Sequence, residues 1–468
     1  MPDTLNLQTF KSIARFSTFD TSTEEGRSNE RHRRIFLTAA ASALAKVVSV
    51  GTTFVSIPLT LHYLGTERFG LWMTISSVIA MLGFADLGVG NGLLNAISEA
   101  NGKDDQGAIR RYISSAFVIL SSIALVILLV FYLVYPFVPW ASFFNVKSPL
   151  AIQESGIAVS VFMLCFGLNI LGGIVQRTQM GLQMGFVANL WLATGSILGL
   201  CAVLLMIQFE MGLPWLVGAL AGMPVLMAFL NGILFFGIIK PGLKPKYCFI
   251  CRKAMKKIAR TGLLFLVLQV VVSVGYTSDN IVIARMLGAE AVAQYAVSEK
   301  MFSVIPMILG MVLSSLWPAY GEALSRGDGQ WIRKTLTKSL KFAFVFSLPL
   351  ASIMVSFGPS MLSVWVGHEV APPFLLLLGL GLWKVCEACS AGLAMFLNGM
   401  NVIKVQIILS SLFGATSFIL KILLVGEIGI AGTVWATVIA FVILTLLPYS
   451  FLVPRILKRK MVQNNICS

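Results

Sequence analysis

A single lysine stands inside the first long apolar stretch of the sequence, TAAASALAKVVSVGTTFVS, which runs from Thr38 to Ser56. Lys46 lies twelve residues beyond Arg34, about 18 Å along a helix, which is too deep for its ammonium group to reach water easily. A charge at that depth costs at least about 2.5–3.5 kcal/mol unless it meets a partner or a wet cavity. An ammonium group in such a cavity can attract phosphate or carboxylate groups, so Lys46 is a candidate anion-binding residue.

The polar residues around Lys46 recur with the spacing of one helix face. Their intervals of 4, 4, 3, 4, 3 and 4 residues place them in a single stripe along an α-helix. We interpret this stripe as the wall of a wet cavity; the alternative is a lysine that pairs with a neighbouring helix for stability alone. The stripe consists of Thr38, Ser42, Lys46, Ser49, Thr53, Ser56 and Thr60.

Other charged residues also fall inside long apolar stretches, where an ionisable side chain is a functional candidate by default. Lys384 and Glu387 are three residues apart, so they can either pair with each other or face a cavity. Glu299 and Lys300 are adjacent, point about 100° apart around a helix, and cannot both face lipid cheaply. Lys421 lies near the end of its stretch, where a long side chain is expected to extend to the membrane interface.

An acidic residue, Asp86, stands in the stretch GFADLGVGNGLLNAISEA, which contains four glycines. These glycines permit close helix approach or local bending. The carboxylate can serve as a proton or cation site, or as a structural hydrogen-bond acceptor. The sequence leaves both interpretations open.

The elements that position these residues must be membrane-spanning helices. Of the 468 residues 57% are hydrophobic and 12% charged, whereas about a quarter of the residues in a soluble protein are charged. Apolar stretches of about 20 residues recur without the period-2 alternation of barrel strands. The sequence therefore predicts an all-α polytopic membrane protein with twelve spans, at 35–61, 70–97, 112–135, 156–176, 185–208, 213–239, 261–285, 293–319, 340–362, 372–398, 403–425 and 430–453.

Lys and Arg residues are distributed unevenly between the loops. With the N-terminus inside, 28 of the 35 lie in inner segments and 3 in outer loops. This asymmetry follows the positive-inside rule and predicts that both termini are cytoplasmic. It also accounts for the net charge of +15 without a nucleic-acid partner. The basic loop 240–260 can in addition contact anionic lipid headgroups.

The sequence contains no recognisable catalytic, cofactor or metal site. Two C-x-x-C pairs, Cys248/Cys251 and Cys386/Cys389, lack a second pair of zinc ligands. No P-loop or nucleophile elbow occurs, and the longest outer connection, 136–155, holds no His and one acidic residue. A membrane polymerase or ligase would need a larger outer domain. We therefore predict a protein that is not an enzyme and has no cofactor.

Two pairs of loop segments match at one offset of 223 residues. YLGTERFGLW at 63–72 aligns with MLGAEAVAQY at 286–295, and EANGKDDQGAIRR at 99–111 aligns with EALSRGDGQWIRK at 322–334. Six spans per repeat is an even number, so both halves cross the membrane in the same direction and form two parallel lobes around a central cavity. The predicted domains are a cytoplasmic tail at 1–34, an N-lobe at 35–239, a basic linker at 240–260, a C-lobe at 261–453 and a cytoplasmic tail at 454–468.

The duplicated first helix also carries polar residues. Adding 223 to positions 46, 53 and 56 gives Gln269, Tyr276 and Asp279 on the seventh span. Both lobes are thus predicted to turn a polar face toward the cleft between them. Two parallel lobes around a polar cleft are typical of a transporter that works by alternating access.

The motif YLGTERFGLW, followed by FADLGVGNGLLNAISEANG, resembles the polysaccharide transporter branch of the multidrug/oligosaccharidyl-lipid/polysaccharide (MOP) exporter superfamily, the Wzx-type O-antigen flippases. The resemblance runs from about residue 33 to 455. It implies a MATE-like fold and translocation of an undecaprenyl-diphosphate-linked oligosaccharide across the inner membrane. The partners it implies are that substrate, membrane lipids, and the glycan polymerase and chain-length proteins of the same pathway.

The resemblance also implies roles for the intramembrane charges. Basic residues that line the lumen would receive the diphosphate and acidic sugars, and the residues here of suitable type and depth are Lys46, Lys300 and Lys384. The lobes would then rock outward, driven by titration or cation binding at Asp86, Asp279 or Glu387.

Three other transporter classes fit the sequence less well. A MATE-type cation/drug antiporter shares the fold but is expected to carry a carboxylate in the first helix, where this chain has Lys46. A major-facilitator transporter has a 2–3 loop motif, G-x-x-x-D-R/K-x-G-R/K-R/K, that GKDDQGAIRR does not match in register. Lipid II flippases usually have more spans than the twelve predicted here.

Overall fold

The computed structural model describes residues 23–80, 84–144, 146, 148–287, 289–366 and 372–467, and the regular elements within these ranges are helical. Short helical turns occupy 135–143 and 241–249, and α6 includes two π turns. The long helices are α1 (Glu24–Ala80), α2 (Val89–Gly102), α3 (Gln106–Val134), α4 (Pro149–Gly181), α5 (Gly185–Gln208), α6 (Leu213–Ile239), α7 (Arg252–Leu287), α8 (Ala289–Phe302), α9 (Val304–Leu313), α10 (Leu316–Ser325), α11 (Gly329–Val366), α12 (Phe374–Gly399), α13 (Ile403–Ile428), α14 (Ala431–Phe441) and α15 (Leu447–Cys467).

The helices agree with the prediction of an all-α polytopic membrane protein. Among the described residues, ten helices are long and apolar enough to cross a bilayer. α5 has the predicted bounds of 185–208. α3 starts before its predicted span, and α4 extends beyond its predicted span at both ends. In each case the helix continues past the apolar stretch of the sequence. Residues 24–34, predicted as part of a polar tail, are the first turns of α1.

The predicted second span, 70–97, is interrupted. α1 ends at Ala80, and α2 begins at Val89 after a turn at 84–88. Leu87 and Gly88 have φ angles of 51° and 71°, in the left-handed region that a helix does not use. The glycine-rich stretch around Asp86 therefore breaks the span, and the freed backbone groups at this depth need partners from within the protein.

The motif YLGTERFGLW forms a turn fixed by an ion pair. Gly65 has φ of 75° and ψ of 169°, a conformation that side chains disfavour. Three residues later, Arg68 contacts Glu154 of α4 through two hydrogen bonds of 2.7 and 2.8 Å. Glu154 Oε1 also accepts the N–H of Leu213 at 3.2 Å, so the carboxylate ties this turn to the start of α6. The counterpart of Gly65 in the second repeat, Gly288, lies outside the described residues.

Residues 1–263 and 264–468 form two compact units, with the division inside α7. In the first unit, apolar residues of α2, α3, α4, α6 and the start of α7 form a buried core. Its tightest contact joins α2 to α7. A Cβ added at Gly92 would lie 2.4 Å from the carbonyl oxygen of Ile258, so the two helix backbones touch there, as small residues allow in membrane proteins.

In the second unit, α12 is the central helix. It packs against α8, α9, α10, α11 and α14, and α14 in turn packs against α13. More than half of the residues of α12 are buried, including residues on several faces. This arrangement surrounds the charged residues of α12 with other helices.

The two matched inner segments have the same local geometry. Asp105 Oδ1 accepts the N–H of Ala108 at 2.8 Å at the start of α3, and Asp328 Oδ1 accepts the N–H of Trp331 at 3.1 Å at the start of α11. One turn before each cap, an acidic residue pairs with a basic residue four positions on: Glu99 with Lys103 and Glu322 with Arg326. Caps and pairs at the same offset support the predicted duplication.

Candidate functional site

A network of buried charges joins α8 and α12 in the second unit. Lys384 Nζ is 2.9 Å from Glu299 Oε1 and 2.8 Å from Glu387 Oε2. The side chain of Lys384 is 3% exposed, so two carboxylates enclose its ammonium group. The sequence left open whether Lys384 and Glu387 pair or face a cavity. The structure shows the pair and adds Glu299 as a second partner.

A second ion pair lies between α7 and α13. Lys421 Nζ contacts Asp279 Oδ1, and Tyr295 Oη donates a hydrogen bond of 2.6 Å to Asp279 Oδ2. The expectation that Lys421 extends to the membrane interface is wrong, because its side chain is 2% exposed. A carboxylate on a neighbouring helix gives the ammonium group a nearby partner, so it does not need to reach water.

The two groups of charges both lie in the second unit, and α8 contributes to each of them. Tyr295, which bonds Asp279, is four residues before Glu299 on that helix. Among the side chains that the structure describes, the two groups comprise three carboxylates (Asp279, Glu299 and Glu387) and two lysines (Lys384 and Lys421). The lysines are buried, whereas the side chain of Glu299 remains 35% exposed.

Glu387 also borders open space. It lines a cavity of about 280 Å³ within the second unit, together with the amide groups of Asn398 and Gln406 and the phenol of Tyr449. Gln406 Nε2 donates a hydrogen bond of 3.0 Å to Asn398 Oδ1. Most of its other lining residues are apolar, among them Leu268, Trp383 and Phe441, so polar groups form only part of its wall.

Lys46 has a different environment from Lys384. It is exposed on α1 and forms no ion pair with any other described residue. α1 is a continuous helix from Glu24 past Lys46, so the depth of the lysine follows from its position along the helix. An exposed, unpaired ammonium group can bind an anionic ligand without first breaking an internal ion pair.

The hydroxyl stripe around Lys46 is not uniformly exposed. Thr53 is exposed, Ser42 and Ser49 are half-buried, and Ser56 is buried. Thr53 Oγ1 donates a 2.7 Å hydrogen bond to the carbonyl of Ser49, and Ser56 Oγ donates to the carbonyl of Thr53 at 3.2 Å. These hydroxyl groups bond to their own helix, so the stripe does not itself require water.

Lys300 resembles Lys46 more than Lys384. It is exposed near the end of α8 and forms no ion pair within the described ranges. The neighbouring Glu299 points to Lys384 instead. Of the three predicted lumen cations, the structure therefore leaves two exposed and encloses one in the charged network.

Asp86 has the geometry of a structural acceptor. Its Oδ1 accepts the N–H of Gly88 at 2.9 Å and its Oδ2 accepts the N–H of Gly90 at 3.2 Å, so it caps the start of α2. Arg177 of α4 interacts electrostatically with the carboxylate. A Cβ at Gly90 would lie 2.7 Å from Asp86 Oδ2 and 3.2 Å from Arg177 Nε, so only a glycine leaves room for this arrangement.

The remaining predicted residues lie on α7. Gln269 is half-buried, and its Oε1 accepts no hydrogen bond from the described part of the chain. The backbone of Tyr276 is helical, and its side chain lies outside what the structure describes. Of the two residues whose side chains are described, Asp279 joins the charged network.

Sequence reasoning missed Tyr295 as a partner of Asp279, and it did not connect Lys421 with that carboxylate. A usable signal was present: opposite charges occur in four apolar stretches of the second half, on the helices that contain 279, 299, 384, 387 and 421. Charges of opposite sign at similar depth usually pair in a membrane protein.

Comparison with known proteins places the chain in a family. The sequence profile of the family described as "Polysaccharide biosynthesis protein" matches residues 38–324, and the MatE profile matches residues 265–411. The chain is similar to a Salmonella typhimurium protein named an O-antigen transporter, with 24% identity over 428 residues that cover 89% of this chain and 96% of the relative. It is also similar to a Yersinia pseudotuberculosis protein named an O-antigen export protein. The identity is 26% over 387 residues, which cover 79% of this chain and 84% of the relative.

Solved structures share the fold at low sequence identity. An outward-facing multidrug resistance MATE family transporter of the MOP superfamily superposes with a TM-score of 0.76 at 15% identity, covering 91% of this chain and 96% of that one. A MOP superfamily transporter from Pyrococcus furiosus, described as having a binding pocket of reverse polarity, gives a TM-score of 0.76 at 14% identity, with 91% and 96% covered. The fold is therefore MATE-like. Since the first profile spans more than half of the chain, this chain belongs to the polysaccharide biosynthesis protein family.

Proposed function

We propose that this protein is a flippase that moves an undecaprenyl-diphosphate-linked oligosaccharide from the cytoplasmic to the periplasmic leaflet of a bacterial inner membrane. The glycan would be a repeat unit of O-antigen, capsule or exopolysaccharide. Family membership and relatives named as O-antigen transport and export proteins support this assignment over an enzymatic one. The positive-inside distribution supports cytoplasmic termini. The polymerase and chain-length proteins of the same pathway are the partners we expect.

The observation that carries the proposal is the environment of the Lys46 side chain. Its ammonium group is exposed on a membrane-spanning helix and has no internal partner among the described residues. A lysine of this kind suits a ligand that brings negative charge into the membrane, as a lipid diphosphate does. Lys300 is a second exposed cation of the same type. We assign no direct substrate contact to Lys384, since Glu299 and Glu387 already neutralise it.

We further propose that the charged network of the second unit couples transport to an ion. Among the described side chains of the network, carboxylates outnumber lysines, and Glu387 borders a partly polar cavity through which a proton or a monovalent cation could arrive. Asp279 and Glu387 are the proposed coupling residues. Asp86 is the weaker candidate, because both of its carboxylate oxygens accept backbone hydrogen bonds.

A cation/drug antiporter of the MATE type is the second candidate. Two observations favour it: the MatE profile matches residues 265–411, and the acidic surplus lies in that region. The two candidates differ in the charge of the cargo. A flippase needs Lys46 for an anionic headgroup, whereas an exporter of cationic drugs would gain nothing from an unpaired ammonium group in its first helix.

The test is a substitution series at Lys46 in a strain that lacks the chromosomal copy. Lys46→Ala, Lys46→Gln and Lys46→Arg are compared at equal membrane levels for surface glycan and for lipid-linked intermediate retained on the cytoplasmic face. Thr53→Val is the matched control, because Thr53 is exposed on the same helix and its hydroxyl bonds only to the helix itself.

If the protein is a flippase, Lys46→Ala and Lys46→Gln abolish export, and the lipid-linked intermediate accumulates. Lys46→Arg retains part of the export activity, and Thr53→Val retains all of it. Normal export by all three Lys46 variants would refute the role of Lys46 in substrate binding. If the deletion strain exports glycan normally and becomes sensitive to cationic drugs, the antiporter is the correct assignment.

A further inference from the structure

A cavity of about 450 Å³ opens on the first unit, away from the residues discussed above. Its walls are formed by α3, α4 and α6, and residues 244–247 and 250 of the basic linker also line it. The wall residues are mostly apolar, among them Phe117, Ile174 and Phe229. The linker contributes two lysines, Lys244 and Lys246, to the rim.

The linker is fixed to α3 at this rim. The N–H of Lys246 donates a 3.2 Å hydrogen bond to Ser114 Oγ, and the N–H of Cys251 donates one of the same length to Ser115 Oγ. The guanidinium of Arg110 lies 5.9 Å from the centre of the Phe249 ring. The linker is therefore bonded to α3 at Lys246 and at Cys251, and the exposed side chains of Lys244 and Lys246 lie beside the cavity.

An apolar interior with a cationic rim suits a ligand that has both an apolar part and an anionic part. A free anion would gain nothing from the apolar walls, and an uncharged hydrocarbon would gain nothing from the lysines. A molecule with a hydrocarbon chain and an anionic phosphate uses both parts. The positive-inside rule places this rim at the cytoplasmic surface, where anionic lipids are neighbours of the linker.

We propose that this cavity is a binding site for one anionic phospholipid of the inner leaflet, with an acyl chain between α3, α4 and α6 and its phosphate at Lys244 and Lys246. Small-molecule sites enclose about 300–1,000 Å³, and the 450 Å³ here suits a single acyl chain. A polyprenyl chain of the length that a flippase substrate carries would not be enclosed. The lipid would hold the linker against the first unit.

Two variants test the two parts of this site. Lys244→Ala/Lys246→Ala removes the rim charge, and Lys253→Ala/Lys256→Ala is its control, since these exposed lysines of α7 do not line the cavity. Gly237→Leu adds an apolar side chain at a position that lines the cavity, where a Cβ would have no neighbour within 4 Å. Its control is Gly173→Leu, a position that is equally open but does not line the cavity.

The measurement is native mass spectrometry of the full chain titrated with phosphatidylglycerol or phosphatidylcholine. We expect the wild type and both controls to retain phosphatidylglycerol in preference to phosphatidylcholine. The rim variant should lose roughly tenfold or more in apparent affinity for phosphatidylglycerol, and Gly237→Leu should lose binding of both lipids at this site.

Equal binding of both lipids by the wild type, or unchanged binding in the rim variant and in Gly237→Leu, would overturn the proposal. So would a competition experiment in which undecaprenyl phosphate displaces phosphatidylglycerol at equimolar concentration, because that result assigns the cavity to the transport substrate. Displacement by inorganic phosphate alone would show an anion site without a lipid component. None of these readouts depends on transport, so the outcome is independent of the flippase assignment.

Discussion

The ammonium group of Lys421 on α13 forms an ion pair with the carboxylate of Asp279 on α7, and Tyr295 bonds the second oxygen of that carboxylate. The lysine is 2% and the aspartate 16% exposed, so most of the contact is shielded from water and from lipid. Together with Lys384, Glu299 and Glu387, this pair makes the interior of the second unit a charged network inside a membrane protein.

Removing one partner of this ion pair should lower the stability of the protein more than removing both partners. Lys421→Met leaves the Asp279 carboxylate without its cation, and removing one partner of a buried pair costs about 3–5 kcal/mol. The double variant Lys421→Met/Asp279→Asn removes both charges and should recover a large part of that loss. The measurement is the thermal unfolding temperature in detergent. Lys404→Ala, at an exposed position of the same helix, serves as the control, and equal destabilisation by the single and double variants would contradict the pairing.

The two helix caps at the duplicated positions should have similar energies. Asp105→Ala and Asp328→Ala each remove a carboxylate that accepts a backbone N–H at a helix start. We expect each substitution to lower stability by about 0.5–2 kcal/mol. Asp→Asn at either position retains an acceptor oxygen and should cost much less. Hydrogen exchange at the first turns of α3 and α11 measures the effect locally, and protection that is unchanged in the Ala variants would show that the caps contribute nothing.

The contact between α2 and α7 should exclude any side chain at Gly92. A Cβ there would lie 2.4 Å from the carbonyl oxygen of Ile258 and 3.0 Å from the amide nitrogen of Gly262. Gly92→Ala should therefore force the helices apart and reduce the amount of folded protein. Gly51→Ala is the matched control on α1, where a Cβ has no neighbour within 4 Å. That control should be neutral or raise stability by up to about 1 kcal/mol, as expected for replacing glycine in a helix. Detergent-extracted monomer on size-exclusion chromatography is the readout.

Cys251 should be the more reactive thiol of the linker. Backbone N–H groups of Ala254 and Lys253 at the start of α7 hydrogen-bond to its sulfur and lower the pKa of the thiol. A lower pKa increases the thiolate fraction at neutral pH, and the thiolate is the reactive form. In membranes at pH 7, iodoacetamide should modify Cys251 in a Cys248→Ser variant faster than Cys248 in a Cys251→Ser variant. The difference should shrink once the pH rises above the pKa of the Cys251 thiol, because its thiolate fraction then no longer increases. A constant ratio as the pH rises would contradict the pKa argument.

Much of the fold could be predicted from the sequence because a bilayer imposes strong local rules. Each span must be helical to satisfy its backbone in hydrocarbon, so α5 and α6 were predicted with their bounds, and α12 and α13 within three residues at each end. The helices at the first, second and eighth predicted spans are longer, interrupted and divided, respectively. The loop matches at an offset of 223 aligned Asp105 with Asp328, and only the structure showed that each of them accepts a backbone N–H at a helix start. The break at 84–88 shows the limit of this reasoning, because hydropathy does not distinguish a continuous span from one interrupted by glycines.

The sequence by itself determined which residues carry charge into the membrane and at what depth, since both follow from position along a helix. Only the tertiary structure decided which of those charges meet. Lys46 remains exposed, whereas Lys384 and Lys421 are enclosed by carboxylates from residues as far away in the chain as Glu299 and Asp279. Partner choice depends on which helix faces pack together, and packing is a property of all the helices in the unit rather than of any one stretch. For that reason, two lysines inside membrane spans have different environments: Lys46 remains exposed, whereas Lys384 is neutralised by carboxylates.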